Sequence, residues 1–384
     1  MSKTKPYGIL LIAGLMTHQE NYADFFLADP RCKLIAVADE SDVPTRRADL
    51  NRKFASEKNL PYISDLDEAL ELEDVDIVSV CAEHERRGRV AVKCARAGKH
   101  IYLDKPMAYS VADASEIVSA VESSGVKSQV YSMVHSSWAQ KAKRAVESSA
   151  IGELIAIHCD ILFAKGYTSD SISRKPRNQD PYPKRFTFID SKRELRATGV
   201  YSVGLIRWIT GAEVKTVFGV TGNYFFEEHL HNHVEDFGIL AMKLGSDVVA
   251  TISAGRIGYT SHPSHGPMRV HLVGTKGVMT FDAYNPRIEV YTNEPSWAPP
   301  QMNPEDPMGF WNNTYKNSKP KKTWIPISTN QRYNNDVSYF IDCIESNLDS
   351  EVSAKDGAAQ VEILMAGYLS AATGNVVSLP IPKE

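Results

Sequence analysis

The first 130 residues alternate short apolar runs with stretches of helical periodicity, and this alternation most strongly limits the folds open to the chain. The apolar runs lie at 9–13, 33–38, 75–81 and 101–103. Short runs that are apolar throughout are typical of strands buried on both faces of a parallel sheet. Their repeated alternation with helical stretches predicts a doubly wound α/β unit at the N-terminus.

The clearest helix signal in this unit follows Ser110. Ser110 and Asp113 have the spacing of a capping box, in which each side chain bonds the other residue's backbone. Apolar residues recur with helical spacing from Ala114 to Val121, and Gly125 supplies a stop signal. The sequence therefore predicts a helix between Ser110 and Gly125.

The pattern changes after about residue 150, where apolar residues alternate with polar or small ones. Such alternation indicates strands with two unlike faces, and Gly-rich turns between them indicate antiparallel neighbours. We expect strands near 155–163, 214–220, 237–244, 248–253, 268–273, 278–281 and 288–291, helices near 138–149 and 361–374, and a long surface excursion at 295–326.

These patterns divide the chain into two domains of an α/β protein. Residues 1–128 are expected to form a doubly wound parallel sheet of the Rossmann type. Residues 129–384 are expected to form an α/β domain with a large, mostly antiparallel open sheet that binds substrate and mediates oligomerisation. Because few helices are available to cover that sheet, we expect a homodimer or homotetramer through its uncovered face.

Charge and composition exclude several classes of partner. Lys and Arg number 43 against 47 Asp and Glu, giving a formal net charge of −4, so nothing in the overall charge favours nucleic acid or an acidic membrane. The apolar run 9–16 after Lys3 and Lys5 is interpreted as a buried strand rather than a signal peptide. Five scattered cysteines without CxxC spacing argue against disulfides and structural zinc, so we expect a cytoplasmic protein.

The turn after the first strand gives a partial signal for a dinucleotide site. A dinucleotide needs a tight glycine turn before a helix, and of that motif only Gly14 is present in Ala13–His18. Asp39 ends the second strand, 25 residues after Gly14, close to the spacing of a carboxylate that binds the ribose 2′-hydroxyl of NAD. Since a carboxylate would repel the 2′-phosphate of NADP, we expect NAD as the cofactor, although Arg46 and Arg47 could offset that repulsion.

The segment 97–108, AGKHIYLDKPMA, resembles the signature "AGKHV-x-x-EKP-x-A" of the Gfo/Idh/MocA oxidoreductases, with Asp104 in place of the usual Glu. The resemblance continues along the chain through 152–154, 274–277 and the closing helix. This family consists of NAD(P)-dependent enzymes that act mainly on sugars, inositols and related polyols. The resemblance implies a Rossmann domain followed by an α/β domain whose open sheet often serves in oligomerisation.

The resemblance also implies site residues. Lys105 would polarise the reacting oxygen and stabilise the charge that develops on it. Tyr201 occupies the position at which most relatives carry a catalytic His. Subgroups similar to glucose–fructose oxidoreductase and dihydrodiol dehydrogenase carry Tyr there, so Tyr201 would act as the acid/base. The Asp that precedes this position in the family is Ala197 here. Cofactor contacts are expected from Gly14, Met16, Thr17, Asp39, His84, Asp104 and Lys105, and substrate contacts from Lys105, His135, Arg196 and Tyr201.

The segment His229-Leu230-His231-Asn232-His233 is open to three interpretations. In an extended chain its three histidines would lie on one face, and histidine is a common ligand of zinc and nickel. The family chemistry requires no metal, so a substrate or subunit contact and a solvated loop are the alternatives. No metal is assigned.

The sequence thus predicts a dehydrogenase that moves a hydride between a secondary hydroxyl of a sugar or cyclitol and NAD. Two alternatives stay open. A family relative with tightly held NAD could use transient oxidation for glycoside cleavage or epimerisation. A non-catalytic nucleotide- or sugar-binding regulator is favoured by the incomplete glycine turn and by Ala197, and opposed by Lys105.

Overall fold

The computed structural model describes residues 5–164, 166, 168–169, 175–176, 193–258, 266–282, 287–292, 321–326 and 334–382. Its helices are α1 (Gln19–Ala28), α2 (Thr45–Glu57), α3 (Leu66–Leu70), α4 (His84–Arg96), α5 (Val111–Ser124), α6 (Ser137–Glu147), α7 (Glu194–Thr210), α8 (Glu227–His231), α9 (Asn334–Glu345) and α10 (Ala354–Thr373).

The strands are β1 (Tyr7–Ile12), β2 (Cys32–Ala38), β3 (Tyr62–Ile63), β4 (Ile77–Val80), β5 (His100–Leu103), β6 (Ser128–Val130), β7 (Leu154–Phe163), β8 (Lys175–Pro176), β9 (Val214–Asn223), β10 (Phe237–Leu244), β11 (Val249–Arg256), β12 (Met268–Gly274), β13 (Gly277–Asp282), β14 (Arg287–Thr292), β15 (Lys321–Pro326) and β16 (Val377–Ser378).

The first sheet is the predicted doubly wound sheet. Its six strands are parallel and follow the order β3-β2-β1-β4-β5-β6. The chain runs outward from β1 in one direction and from β4 in the other, so the strand order reverses between them. In doubly wound sheets this reversal opens a crevice at the carboxyl ends of the strands.

Two strands of this sheet lacked a sequence signal because they are short. β3 has two residues and β6 has three, too few for a pattern of burial to show. β6 pairs with β5, so the parallel sheet extends to Val130, two residues past the domain boundary expected at 128.

The capping prediction for α5 is confirmed. The Ser110 side chain accepts from the backbone N–H of Asp113 at 3.0 Å, and the Asp113 carboxylate accepts from the Ser110 N–H at 3.3 Å. Gly125 ends the helix with φ of +67°, in the left-handed region that glycine adopts without steric cost.

The second sheet has ten strands and is antiparallel except for the pairing of β11 with β7. Its main order is β15-β14-β13-β12-β7-β11-β10-β9-β16. Helices α7 and α10 pack on one face, where alternate residues of β10 are buried. The opposite face exposes large apolar side chains, namely Ile155, Phe218, Val220, Ile239 and Val249. The predicted open sheet with an uncovered apolar face is therefore confirmed for the described strands.

The expected surface excursion at 295–326 is partly wrong. Lys321–Pro326 forms β15 and pairs with β14, so this part is a strand at the edge of the second sheet. Residues 295–320 lie outside the described ranges.

The C-terminal part of the chain returns to the first sheet through α9. Val337, Phe340 and Ile341 pack in one apolar cluster with Ile9 and Phe26. The buried Tyr102 hydroxyl of β5 donates to the Asp336 carboxylate of α9. The two units are thus joined by packing and by a buried hydrogen bond.

All five cysteines are free thiols, four of them buried. Among the helices of the described ranges, none has the length and apolar character needed to span a bilayer.

Candidate functional site

A cleft lies at the carboxyl ends of β1, β4 and β5, where the strand order reverses. Its walls come from three loops of the first domain and from the first turn of α7. It is lined by Met16, Thr17, His18, Cys81, Glu83, His84, Glu85, Arg87, Asp104, Lys105 and Ala197. The cleft therefore brings together five residues that the sequence assigned to the site: Met16, Thr17, His84, Asp104 and Lys105.

Lys105 follows β5 and extends its side chain toward the second domain. Its ammonium donates to the Ala197 carbonyl oxygen at 2.8 Å and lies 4.4 Å from the centroid of the Tyr201 ring. Only 5% of the residue is exposed. A cation over an aromatic face is attracted by the ring quadrupole, so the Tyr201 ring helps to hold the lysine side chain in place.

Asp104 anchors the floor of the cleft. Its Oδ1 accepts from His18 Nδ1, from the Tyr22 hydroxyl and from the Lys105 N–H, each at 2.8 Å, and its Oδ2 accepts from Arg87 Nη2 at 2.8 Å. Burial alone would raise the pKa of Asp104, but the charges of His18 and Arg87 hold it well below its usual range. Because the carboxylate is ionised, His18 donates through a protonated Nδ1.

The loop between β1 and α1 is built to receive an anion. The backbone N–H groups of Met16 and Thr17 donate to the two carboxylate oxygens of Glu20, at 2.9 and 3.3 Å. A carboxylate of this chain thus occupies the donors of a loop that precedes a helix, the place where doubly wound folds bind pyrophosphate. This donor set fits a dinucleotide.

Gly14 serves close packing in the same loop. A Cβ at Gly14 would lie 2.8 Å from Phe54 Cβ and 3.1 Å from Asn51 Cα of α2. Ala13 and Met16 adopt the left-handed backbone that glycine favours, with φ of +67° and +61°. The incomplete glycine motif therefore still gives a tight turn.

Asp39 lies at the end of β2 and is fully buried, with 0% of the residue exposed. Its carboxylate accepts from both terminal nitrogens of Arg86 and from Asn51 Nδ2. Arg47, which the sequence offered as a neighbour of the cofactor phosphate, is buried and donates to Glu83 and to the Leu15 carbonyl.

Tyr201 lies in α7, one turn after Ala197, and is half-buried. The rings of Tyr131 and Phe163 approach its ring edge-on, with centroids 6.3 and 6.4 Å away. The family Asp is absent at position 197, but the backbone carbonyl there accepts from Lys105. The main chain of α7 thus holds the lysine.

His135 and Arg196, both expected to contact substrate, are not among the residues that line the cleft. The His135 ring stacks on Tyr339, with centroids 3.9 Å apart, and burial lowers its pKa to about 4. The Arg196 guanidinium is buried, donates to the Ala108 carbonyl and lies 5.0 Å from the Tyr109 ring centroid. Burial and the nearby arginines lower the pKa of Arg196 to about 10.

The segment 229–233 does not have the extended form that would place its three histidines on one face. Glu227–His231 is a short helix, α8, so His229 and His231 point in different directions. His229 is buried against Glu194, with Nε2 3.3 Å from Oε1, whereas His231 is exposed. In the described ranges, no three His, Cys, Asp or Glu side chains come close enough to hold a metal ion.

Sequence reasoning missed several residues of the cleft, above all His18 and Arg87. His18 is the N-cap residue of α1 and therefore stands at the helix N-terminus that a dinucleotide turn requires. Its position, four residues after Gly14 and directly before a helix, could have indicated that it lies in the cleft. Nothing local marks Arg87, because its partner Asp104 lies 17 residues away.

Comparison with known families agrees with this architecture. A profile described as "Oxidoreductase family, NAD-binding Rossmann fold" matches residues 10–132. A profile described as "GFO/IDH/MocA C-terminal domain" matches residues 139–280. The two matches together cover more than half of the chain.

Individual relatives are distant. The chain is 24% identical over 353 residues to an uncharacterized oxidoreductase, YrbE, of Bacillus subtilis, covering 91% of this chain and 90% of the relative. It is 26% identical over 258 residues to scyllo-inositol 2-dehydrogenase (NAD(+)) of the same organism, covering 65% and 66%. Among solved structures, GenD2 from gentamicin A biosynthesis, in complex with NAD, shares the fold with a TM-score of 0.72 at 19% identity, covering 99% of this chain and 98% of that one.

The two profile matches, the doubly wound sheet and the lysine-bearing cleft at its strand ends agree with one another. The chain belongs to the Gfo/Idh/MocA family of oxidoreductases.

Proposed function

We propose that this protein is an NAD-dependent dehydrogenase that oxidises a secondary hydroxyl of a sugar or cyclitol, or reduces the corresponding ketone. The observation that carries the proposal is the buried Lys105 ammonium, held by the Ala197 carbonyl and by the Tyr201 ring beside the cleft. Inositol dehydrogenases among the distant relatives support this substrate class.

The cofactor would be held by the loops of the first domain. The Met16 and Thr17 N–H groups would bind its pyrophosphate in place of Glu20, and Gly14 keeps that loop close to α2. His84 and Asp104 line the cleft near Lys105. Asp39 would accept from the ribose once Arg86 moves away from it. When bound, the nicotinamide ring accepts or returns a hydride.

Lys105 would donate a hydrogen bond to the reacting oxygen of the substrate. Its charge stabilises the negative charge that develops on that oxygen, and the burial of Lys105 strengthens this effect. Asp104 fixes the backbone of Lys105 through the 2.8 Å hydrogen bond to its N–H, so the ammonium needs little reorganisation during the reaction.

Tyr201 would exchange the hydroxyl proton of the substrate. A cation close to a phenol favours the phenolate and so makes the hydroxyl a better acid and its anion an accessible base. The Lys105 ammonium is such a cation, 4.4 Å from the ring centroid. The two residues would therefore act as a unit.

Incubation with NAD and a panel of sugars and cyclitols tests this function. Accumulation of NADH at 340 nm with a matching ketone product is the expected result. Product without accumulated NADH would instead identify an internal redox cycle, such as glycoside cleavage or epimerisation. Tight binding of cofactor and sugar without any product would identify a regulator and contradict the proposal.

A further inference from the structure

The Asp39 carboxylate is saturated with hydrogen-bond donors. Its Oδ1 accepts from Arg86 Nη1 and from the Glu40 N–H at 3.0 Å. Its Oδ2 accepts from Arg86 Nη2 at 3.0 Å and from Asn51 Nδ2 at 2.7 Å. An ionised carboxylate offers about four lone-pair positions, so all of them are filled by this chain.

Arg86 is itself held on its other side by acidic residues. Its Nε donates to Glu83 Oε2 at 2.5 Å, and its Nη1 also donates to Glu40 Oε2 at 3.2 Å. Each of these two carboxylates also pairs with a second arginine. Arg47 Nε donates to Glu83 Oε1 at 2.6 Å, and Arg89 Nε donates to Glu40 Oε1 at 2.8 Å.

The group is therefore electrically balanced. Three carboxylates face three guanidiniums: Asp39, Glu40 and Glu83 against Arg47, Arg86 and Arg89. A lone Asp39 would present one negative charge to whatever binds at the end of β2. The paired Asp39 presents almost none.

This pairing weakens both reasons for which a carboxylate favours NAD. The ribose 2′-hydroxyl of NAD needs a free acceptor, and Asp39 has none until Arg86 moves away. The 2′-phosphate of NADP is repelled by a bare carboxylate, but here it would meet a neutralised one beside guanidinium groups, which bind phosphate well.

We propose that Arg86 sets the selectivity between NAD and NADP by occupying Asp39. Arg86 acts through Asp39 and is a specificity-determining residue rather than a catalytic one. The inference rests on the nicotinamide cofactor of the proposed function. It predicts that the wild-type protein prefers NAD by less than about tenfold, the ratio that corresponds to roughly 1.4 kcal/mol.

The test is a calorimetric titration of the full-length protein with NAD and with NADP, which needs no substrate and no turnover. The variant Arg86→Met keeps the length of the side chain and removes its charge and its donors. We expect the dissociation constant for NAD to fall about tenfold and that for NADP to rise, because Asp39 regains its charge and its free lone pairs.

Two further variants control for indirect effects. Arg89→Met removes an exposed arginine of the same group whose ion pair, among the described residues, is with Glu40. It should leave the selectivity within about twofold of the wild type. Asp39→Asn should abolish the effect of Arg86→Met, so that the double variant has the selectivity of Asp39→Asn alone.

A folded Arg86→Met protein, judged by its thermal unfolding, whose NAD affinity is unchanged or weaker would overturn the inference. If this variant does not fold, Arg86→Lys keeps a charge but loses the two-pronged contact and should shift selectivity toward NAD by a smaller factor. A wild-type preference for NAD of about a hundredfold or more would overturn the inference without any variant. A wild-type protein that binds neither cofactor would overturn the proposed function as well, whereas binding with unchanged selectivity in the variants would overturn only this inference.

Discussion

The Lys105 ammonium lies 4.4 Å from the centroid of the Tyr201 ring and donates at 2.8 Å to the carbonyl of Ala197, one helical turn before that tyrosine. One turn of α7 therefore provides both the acceptor and the aromatic face that hold the lysine.

Removal of Lys105 should affect turnover more than cofactor binding. The lysine is expected to stabilise charge that develops on the substrate oxygen in the transition state. Lys105→Ala should lower kcat by roughly 10²–10⁴-fold and leave the NAD dissociation constant within about threefold. Lys105→Met, which keeps more of the side chain's length, should have the same effect. Steady-state kinetics and titration measure the two quantities separately.

Lys143 offers a matched control for that variant. Its ammonium also donates to a backbone carbonyl, that of Trp208 at 3.0 Å, and lies 4.2 Å from the Trp208 ring centroid. It does not line the cleft. Lys143→Met should keep kcat close to the wild-type value, and an equal loss in both variants would mean that Lys105 acts through stability alone.

Tyr201→Phe should separate the hydroxyl of Tyr201 from its ring. The substitution keeps the aromatic face under Lys105 and removes only the proton-exchanging group. We expect kcat to fall roughly 10–10³-fold and its pH dependence to change. The loss in a Lys105→Met/Tyr201→Phe double variant should be smaller than the product of the single losses, since the charge of Lys105 sets the acidity of the phenol. Near-normal activity of Tyr201→Phe would restrict the role of Tyr201 to its ring.

The burial of His135 makes stability depend on pH in a defined direction. Burial lowers its pKa to about 4, below the value of the unfolded chain, so the folded protein holds His135 neutral. The protein therefore keeps its full stability above about pH 6.5. As the pH falls from about 6.5 toward 4, the unfolded chain binds a proton at His135 that the folded protein does not, and the unfolding free energy decreases by roughly 3 kcal/mol.

Urea denaturation of wild type and His135→Gln at pH 7 and pH 4 checks this prediction. On going from pH 7 to pH 4, the wild type should lose more unfolding free energy than His135→Gln does. Because all other titrating groups are shared, parallel pH profiles would show that His135 keeps an ordinary pKa.

The exposed face of the second sheet is predicted to be an interface between copies of this chain. Val220 of β9 lies directly opposite Ile239 of β10, and Phe218 follows on the same face. We expect a dimer or tetramer in light scattering, and Phe218→Lys with Ile239→Lys should yield monomers. Leu348→Lys, which changes an even more exposed apolar residue outside this sheet, should leave the assembly intact. A wild-type protein that is monomeric at micromolar concentration would contradict the prediction.

The sequence by itself determined the doubly wound sheet, the helix α5 and the place of Lys105. Each depends on local order: short apolar runs buried on both faces, a capping box closed within four residues, and a lysine two residues after β5. The open face of the second sheet also followed from its alternating strands. Elements of two to five residues, such as β3 and α8, are too short for periodicity to reveal.

Only the tertiary structure decided how the charges of the site are paired. Arg86 reaches Asp39 across 47 residues of sequence, His18 reaches Asp104 across 86, and Lys105 reaches the Ala197 carbonyl across 92. Such pairs form because separate strands end at one edge of a sheet, where their loops converge, and no local pattern records which side chains then meet. The sequence therefore proposed Asp39 as the cofactor carboxylate and located the lysine, whereas the fold determined that Asp39 is paired with Arg86 and that the lysine is held by the main chain of α7.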